Sequence, residues 1–375
     1  MKPANSPARG KAAVFSGAGL PFRLEEYEIP LPGRRELLIE VICSTICGSD
    51  VHTWHGRRNE PTPCVLGHEI VGRIAAFGHH APRMDLNGQT LSEGDRITWT
   101  IAASCGECFF CKRGLPQKCE HLFKYGHNAI SPGKVFSGGF AEYCILNAGT
   151  GILKLPPQLH DAVAAPANCA VATVAAAMRL ADQVEDSVML VMGCGVLGLN
   201  AIAMARHRGA SHIIACDVSA ERRELSETFG ADDFVLPHEL CDVLSERTHG
   251  RGADISIELT GVAVATTGAI AGLRTGGVAV IAGATMPGAR FEMDANDIMR
   301  RMLNIRGLHN YAPQDLVTAV DFLADTVDRV PFDSLSGGAY ALEQIEEAFA
   351  ASSALPGRRV AVVPCARSLE SNSST

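Results

Sequence analysis

Four closely spaced cysteines in the first third of the chain could hold one metal ion. They follow one another at intervals of 3, 3 and 8 residues: Cys105, Cys108, Cys111 and Cys119. Four thiolates can surround one Zn²⁺ tetrahedrally, and Gly106, Gly114 and Pro116 provide the bends that this needs. An iron–sulfur cluster also takes four cysteines, and four unrelated cysteines are a further alternative. We predict a closed, structural zinc site that helps to fold its lobe.

A second group of metal-ligating side chains is spread more widely along the sequence. Cys47 and Asp50 belong to the segment CGSDVH, His68 and Glu69 belong to GHE, and Cys169 lies in APANCAVAT. A catalytic zinc typically takes three protein ligands and keeps its fourth position open, while nearby carboxylates orient a ligating imidazole. A buried cysteine near an unrelated surface histidine is the simpler alternative, because the spacing alone is not specific.

A dinucleotide-binding pattern occupies the middle of the chain. The apolar run 187–192 (SVMLVM) predicts a buried parallel strand, and 199–208 (LNAIAMARHR) predicts a helix. Between them lies G-x-G-x-x-G, formed by Gly193, Gly195, Val196, Leu197 and Gly198. Glycines at these positions let backbone N–H groups and a helix N-terminus approach a pyrophosphate.

An acidic residue follows at the spacing that such a fold needs. The strand-like run 212–216 (HIIAC) ends at Asp217, which is 19 residues after Gly198. A carboxylate there would accept hydrogen bonds from the adenosine ribose and repel the 2′-phosphate of NADP, so NAD is the expected cofactor. Arg222 is a further candidate for contact with the cofactor. The runs 254–259 and 277–282 predict more strands of a doubly wound sheet.

The composition fits a globular enzyme with a small-molecule substrate. Apolar residues make up 47% of the 375 residues, and the net charge of −8 provides no basic field for a nucleic acid or an anionic membrane. The N-terminus lacks the apolar core of a secretory signal, and the Ala-rich stretch 161–178 is interrupted by Pro166 and Asn168. Thirteen cysteines, an odd number, favour metal ligation over a disulfide framework. We therefore expect a cytoplasmic protein without a nucleic-acid or membrane partner.

Taken together, these motifs resemble those of the zinc-dependent medium-chain alcohol dehydrogenases over nearly the whole chain. The resemblance rests on CGSDVH at 47–52, GHE at 67–69, the cysteine group at 105–119, GGFAEY at 138–143 and GCGVLG at 193–198. It implies two zinc ions per chain and NAD as cofactors.

The same resemblance implies roles for individual residues. Cys47, His68 and Cys169 would hold the catalytic zinc, with Glu69 as a catalytic, exchangeable ligand. Asp50 would steady His68.

The family pattern also implies a proton relay and a nicotinamide contact. Ser49 and His52 would pass the proton of the alcohol to solvent, and Thr173 would contact the nicotinamide. The simpler alternatives are a turn hydroxyl for Ser49, a solvated loop histidine for His52 and a residue at a helix start for Thr173.

A narrower resemblance concerns the substrate. The stretches GDRITWT, RGLPQKCEHLFKYGH and APANCA resemble those of a subgroup associated with phosphonate breakdown, which implies an alcohol that carries a phosphonate. Arg57 and Arg58 could then approach the anion, since arginine binds phosphate-like oxygens bidentately. Two solvated surface arginines are the alternative.

The family layout is an α/β fold in two parts. A GroES-like β-barrel catalytic domain is expected at 1–165, and the strand-like runs 36–43 and 70–77 agree with it. A Rossmann domain with a doubly wound parallel sheet would follow at 166–308. The segment 309–375 would return to the catalytic domain and end in a polar tail. The active site would lie in the cleft between the lobes, and the enzyme would be a homodimer or a homotetramer.

The predicted function is therefore NAD-dependent, zinc-dependent alcohol oxidation. A polyol or amino-alcohol dehydrogenase is an alternative within the same class, because no motif describes the substrate pocket. A non-catalytic dinucleotide-binding protein is an alternative from a different class, as such folds can lose their zinc ligands.

Overall fold

The computed structural model describes residues 8–285 and 287–364, so the predicted polar tail from Ser368 lies outside the described residues. Contacts between residues divide the chain into two units. Unit 1 comprises the chain up to Cys169, Ala312–Ala324 and the chain from Asp333 onward, while unit 2 comprises Ala170–Tyr311 and Asp325–Phe332. The domain boundaries expected at 165/166 and 308/309 stay predictions.

The first part of unit 1 consists mainly of strands. Its elements are β1 (Arg9–Phe15), β2 (Arg23–Glu28), β3 (Leu37–Thr45), α1 (Gly48–Trp54), β4 (Cys64–Val65), β5 (Glu69–Phe77), β6 (Arg96–Trp99), β7 (Ala102–Ala103), β8 (Phe123–Lys124), β9 (Tyr143–Leu146), β10 (Ile152–Lys154) and α2 (Asp161–Ala164). Short 3₁₀ turns cover Cys111–Arg113, Pro116–Lys118 and Ala165–Asn168. The two strand runs predicted in this part correspond to β3 and β5.

Unit 2 alternates strands and helices. Its elements are α3 (Ala170–Ala181), β11 (Val188–Met192), α4 (Val196–His207), β12 (His212–Cys216), α5 (Arg223–Thr228), β13 (Asp233–Val235), α6 (Leu240–Thr248), β14 (Ala253–Glu258), α7 (Ala263–Ala271), β15 (Leu273–Ile281), α8 (Ala295–Arg301) and β16 (Asn304–Gly307). A 3₁₀ turn over Ala220–Arg222 follows β12.

The strands of unit 2 form a doubly wound sheet. Within its described residues six strands pair in parallel, in the order β13-β12-β11-β14-β15-β16. The chain order reverses between β11 and β14, and cofactors bind at such a switch point, beyond the carboxyl ends of the strands. The predicted Rossmann sheet is confirmed. Helix α4 begins at Val196, earlier than the predicted 199, because Gly195 already serves as its N-cap.

The last segment of the chain completes the central sheet of unit 1. It forms α9 (Pro313–Thr326), β17 (Ser336–Ala341), α10 (Ile345–Ala354) and β18 (Arg359–Val363). Strand β18 pairs antiparallel with β3, and the strands of this sheet follow the order β10-β6-β5-β3-β18-β17, with β9 also paired to β3. Smaller sheets are formed by β2-β1-β4 and by β7-β8. The pairing of β18 with β3 is important for the site, because β3 leads directly into Cys47.

The apolar core of unit 1 holds these strands together. Ile39, Ile70 and Trp99 are fully buried on β3, β5 and β6. Most residues of strand β3 are buried, because the strand pairs with β5 on one side and with β18 and β9 on the other. The paired strands β3 and β5 thus hold the candidate metal ligands: Cys47 follows β3, and Glu69 begins β5.

No single helix of the described residues is long and apolar enough to cross a membrane. Residues Asp161–Asn168 and Ala170–Ala181 reach the required length and composition only as a pair, which is bent by 50°.

Candidate active site

Four metal-ligating side chains converge in unit 1. Cys47 is the N-cap of α1, and Cys169 follows the 3₁₀ turn Ala165–Asn168. His68 directly precedes β5, and Glu69 is the first residue of that strand. Their ligand atoms all lie within 4.8 Å of one another. The structure therefore brings together the four residues that the family resemblance assigned to one site.

The two cysteines interact directly and differ in acidity. A hydrogen bond with Cys169 lowers the pKa of Cys47 well below its usual value, although burial opposes this, and the charge of Arg359 lowers it further. The same hydrogen bond raises the pKa of Cys169. Two cysteines, an imidazole and a carboxylate within a few ångströms form the donor set that zinc takes in catalytic sites, so the residues present fit this metal.

Asp50 connects the two ligand-bearing segments. Its Oδ2 accepts the backbone N–H of Cys47 at 3.0 Å, which caps α1, and its Oδ1 lies 3.4 Å from His68 Nδ1. Burial lowers the pKa of His68, but the Asp50 carboxylate and the Cys47 thiolate outweigh burial and raise it to about 10. A carboxylate at Nδ1 leaves Nε2 as the metal-binding nitrogen.

Glu69 has partners that no sequence motif indicated. Arg359 donates two hydrogen bonds to its carboxylate, at 2.8 and 3.0 Å, and Thr45 Oγ1 donates a third at 2.6 Å. Arg359 Nη2 also lies 3.7 Å from Cys47 Sγ. Burial raises the pKa of Glu69 to about 6 although the Arg359 guanidinium opposes this. Arg359 reaches the site only through the pairing of β18 with β3.

The predicted relay residues lie one turn apart on α1. Ser49 Oγ is 3.5 Å from His68 Nε2. His52 is half-buried, and its Nδ1 is buried without a partner among the described residues. Burial and then the charge of Arg57 lower the pKa of His52, so the ring is neutral at neutral pH and can accept a proton.

Arg57 and Arg58 differ in their surroundings. Arg57 is exposed, whereas Arg58 Nε forms an ion pair with Glu60 Oε1 at 2.8 Å. His127 Nδ1 contacts the same Glu60 oxygen at 2.8 Å, and its ring centroid lies 4.9 Å from that of His68. Glu60 belonged to no predicted motif, and His127 ends the stretch RGLPQKCEHLFKYGH, in which the sequence assigned it no role. Gly126 and Gly67, which precede His127 and His68, pack closely, because a Cβ on Gly126 would lie 2.6 Å from the carbonyl oxygen of Gly67.

The four cysteines of the predicted knuckle also converge. Their ligand atoms lie within 4.8 Å of one another, and Cys119 Sγ is 3.4 Å from Cys105 Sγ. Backbone N–H groups of Cys105 and His121 donate to Cys119 Sγ at 3.2 and 3.3 Å. Backbone hydrogen bonds from Cys111 and Glu120 lower the pKa of Cys108 to about 6. Burial raises the pKa of Cys111 to about 12, so these shifts favour a thiolate at Cys108 only. The convergence of four sulfur ligands is what fits a closed zinc site.

The glycine motif of unit 2 has the close approaches that a phosphate-binding turn requires. Gly193 has φ +96° and a Cβ there would lie 2.8 Å from Thr260 Cγ2, while a Cβ on Gly198 would lie 1.8 Å from Gly193 O. A Cβ on Gly195 would meet only Arg222 Nη1, at 3.8 Å. The space in front of the α4 N-terminus is thus open, and the backbone N–H groups around Val196 and Leu197 fit a pyrophosphate.

Asp217 lies at the carboxyl end of β12, beside this turn. Its Oδ2 accepts hydrogen bonds from the Cys194 N–H at 2.7 Å and from Arg222 Nη1 at 2.8 Å, and its Oδ1 accepts the Ser219 N–H at 3.0 Å. The two residues predicted to contact the cofactor, Asp217 and Arg222, are therefore joined by a hydrogen bond. Thr173 is half-buried in the first turns of α3.

Known proteins resemble this chain along most of its length. Residues 33–157 match the alcohol dehydrogenase GroES-like domain, and residues 196–325 match the zinc-binding dehydrogenase family. An L-threonine 3-dehydrogenase from Colwellia psychrerythraea is 30% identical over 295 residues, which cover 76% of this chain and 80% of the relative.

Solved structures give the same result. An alcohol dehydrogenase from Thermotoga maritima is 27% identical, with a TM-score of 0.88 over 96% of this chain and 100% of that chain. A structure described as that of a zinc-binding dehydrogenase from Sinorhizobium meliloti, bound to NADP, is also 27% identical, with a TM-score of 0.82 over 95% of this chain and 100% of that chain.

These matches confirm the predicted fold, a GroES-like domain with a Rossmann domain, and the predicted enzyme class. The converging donor sets agree with a protein that uses zinc and a nicotinamide dinucleotide. The chain belongs to the zinc-dependent medium-chain alcohol dehydrogenases.

Proposed function

We propose that Cys47, His68 and Cys169 hold a catalytic zinc, with Glu69 as an exchangeable ligand, and that the enzyme transfers a hydride from an alcohol to NAD. The observation that carries this proposal is the convergence of these four ligand atoms within 4.8 Å. Zinc in an open site supplies Lewis acidity, which makes the proton of an alcohol easier to remove. NAD supplies the hydride acceptor.

The protein residues orient the reaction and move the proton. Asp50 fixes the imidazole of His68 from its Nδ1 side, so that Nε2 faces the ligand group. Ser49 Oγ, beside His68 Nε2, receives the proton of the alcohol, and the neutral ring of His52 passes it to solvent. Thr173 aligns the nicotinamide. This division of roles explains why a half-buried histidine without a partner on Nδ1 lies one turn from Ser49.

The cofactor-binding residues are proposed to select NAD. Gly193, Gly195 and Gly198 form the turn at the pyrophosphate, and Asp217 excludes the 2′-phosphate of NADP by charge. The hydrogen bond from Arg222 to Asp217 supports this role, since it holds the guanidinium against the carboxylate. The cysteines 105, 108, 111 and 119 hold a second, structural zinc.

The substrate is proposed to be an alcohol that carries a phosphonate. The subgroup resemblance supports this, together with cationic side chains on the segment after α1. An amino alcohol is a second candidate, because a relative at 30% identity is an L-threonine 3-dehydrogenase. Both candidates combine a secondary or primary alcohol with a charged neighbour.

The proposal is tested by metal analysis and by a substrate panel. We expect two zinc ions per chain, one for each converging group. NADH formation is measured with simple alcohols, polyols, L-threonine and hydroxyalkylphosphonates, with NADP in parallel. A selective response to phosphonates supports the substrate. A selective response to L-threonine assigns the amino-alcohol alternative, and no zinc-dependent oxidation of any alcohol overturns the proposed reaction.

We further propose a cytoplasmic homodimer or homotetramer. Strand β16 is at the edge of the six-stranded sheet and leaves backbone groups that a second chain could pair with. Light scattering gives the assembly, and a monomeric mass at micromolar concentration contradicts it.

A further inference from the structure

A cationic side chain without a carboxylate partner lies close to the candidate zinc ligands. Lys124 ends β8 and is half-buried. Its carbonyl oxygen accepts the backbone N–H of His127 at 3.3 Å, and the ring centroid of His127 lies 4.9 Å from that of His68, so Lys124 belongs to the segment beside the metal group. Burial and then the charge of Arg58 lower the pKa of Lys124, while Cys169, Glu60 and Cys47 raise it. Within residues 8–285 and 287–364 no carboxylate forms an ion pair with the Lys124 ammonium. A desolvated, unpaired cation is costly unless a ligand neutralises it.

The neighbouring charges do not neutralise Lys124. Glu60 is the nearby carboxylate, but its Oε1 is already bound by Arg58 Nε and by His127 Nδ1, both at 2.8 Å. Arg58 and Lys124 are two cations beside the single carboxylate of Glu60, so this group of side chains keeps a net positive charge. Among the described residues Arg58 forms the ion pair with Glu60, and Lys124 forms none.

His127 adds a second unused polar atom at the same place. Its side chain is 6% exposed and its Nε2 is buried without a partner among the described residues. Because Nδ1 donates to the Glu60 carboxylate, Nε2 of the neutral ring can accept a hydrogen bond from a hydroxyl but not bind an anion. The surroundings of His68 thus offer an unpaired ammonium for an anion and a separate acceptor for a hydroxyl of the substrate, whereas the pocket of an enzyme for simple alcohols would be apolar.

We propose that Lys124 is the specificity-determining residue of this site and binds an anionic group, a carboxylate or a phosphonate, on the alcohol substrate. This inference rests on the proposed function and assigns the anion to Lys124 in place of Arg57 and Arg58. Cys47 and Cys169 as thiolates would balance the charge of a bound Zn²⁺, which leaves Lys124 to provide the positive charge that attracts an anion. A lysine binds phosphate-like groups as a point charge.

The test compares Lys124→Met with Lys134→Met, which removes an exposed lysine of the same unit. Two readouts are used: kcat/KM for hydroxyalkylphosphonates, hydroxycarboxylates and neutral alcohols of equal length, and the Kd of propylphosphonate by calorimetry. Loss of a charge-assisted contact should lower kcat/KM for anionic alcohols about 10- to 100-fold. It should raise the Kd of propylphosphonate to a similar extent. Neutral alcohols and the Lys134 variant should be unaffected.

Two further variants keep the test decisive if Lys124→Met is unstable. Lys124→Arg should retain the preference for anions, and Lys124→Glu should reverse it in favour of amino alcohols. A wild-type preference for phosphonates over carboxylates, or the reverse, identifies the anion, and both results support the inference. Equal loss for neutral and anionic alcohols, or an unchanged Kd, overturns it while the proposed reaction stands. A wild-type enzyme that oxidises no alcohol overturns the proposed function instead.

Discussion

Arg359 and Glu69 form a buried, bidentate ion pair although 290 residues separate them in the sequence. The pair joins β18 to β5 beside Cys47. Arg359→Met should destabilise the fold by about 3–5 kcal/mol, because it leaves the Glu69 carboxylate buried with only Thr45 as a partner. The free energy of unfolding in urea, measured on zinc-loaded protein, checks this expectation.

The neighbouring Arg358 provides the control. It is exposed and donates only to the carbonyl oxygens of Ser334 and Ser336, so Arg358→Met should change the free energy of unfolding by about 1 kcal/mol or less. The double variant Glu69→Gln/Arg359→Met should recover part of the loss, since no buried charge is then left unpaired. Equal stability of the Arg359 and Arg358 variants would show that the ion pair does not support the site.

Cys111→Ser tests the structural zinc. Removing one of four ligands should release one zinc ion per chain and cost more than about 2 kcal/mol of folding free energy, because metal binding contributes to folding directly. Cys241→Ser, a change at an exposed cysteine outside both metal groups, is the control. Metal content, Tm and kcat are measured together. A variant with wild-type Tm but no activity would show that this group is not structural.

Asp217→Ala tests cofactor selection. The substitution removes the carboxylate that opposes a 2′-phosphate and releases Arg222, which now donates to it at 2.8 Å. The ratio of kcat/KM for NAD to that for NADP should fall about 10- to 100-fold, as expected for a charge-assisted contact. Adding Arg222→Met should remove most of the gain with NADP. An unchanged ratio in the single variant would contradict the role of Asp217.

The sequence predicted those site residues that belong to local motifs. Cys47, His68 and Asp217 follow or begin strands whose apolar runs are recognisable, so their positions could be inferred. Arg359 could not be found in this way, because only the pairing of β18 with β3 brings it to Glu69. Lys124 lies in the quoted stretch RGLPQKCEHLFKYGH, but no spacing in that stretch shows that it lies beside His68.

His52→Gln tests the proton relay through its pH dependence. Burial and the charges of Arg57, Arg58 and His55 lower the pKa of His52 below about 6.5, whereas the charge of Cys47 raises it. Above that pKa the ring is neutral and accepts the proton, so the wild-type rate should fall only as the pH drops through it. The variant has no acceptor, so it should be slower than the wild type mainly above the pKa of His52 and around neutral pH, with recovery at alkaline pH as hydroxide becomes available.

Arg57→Met completes this test, because it should move the acidic limb of the wild-type profile to higher pH. Removing the cation that disfavours protonated His52 raises the pKa of His52, and the rate then begins to fall at a higher pH. Rates are measured from acidic to alkaline pH at saturating cofactor, with zinc content determined for each variant. If the profile of His52→Gln matches that of the wild type and Arg57→Met leaves the limb in place, the proton leaves the site by another route.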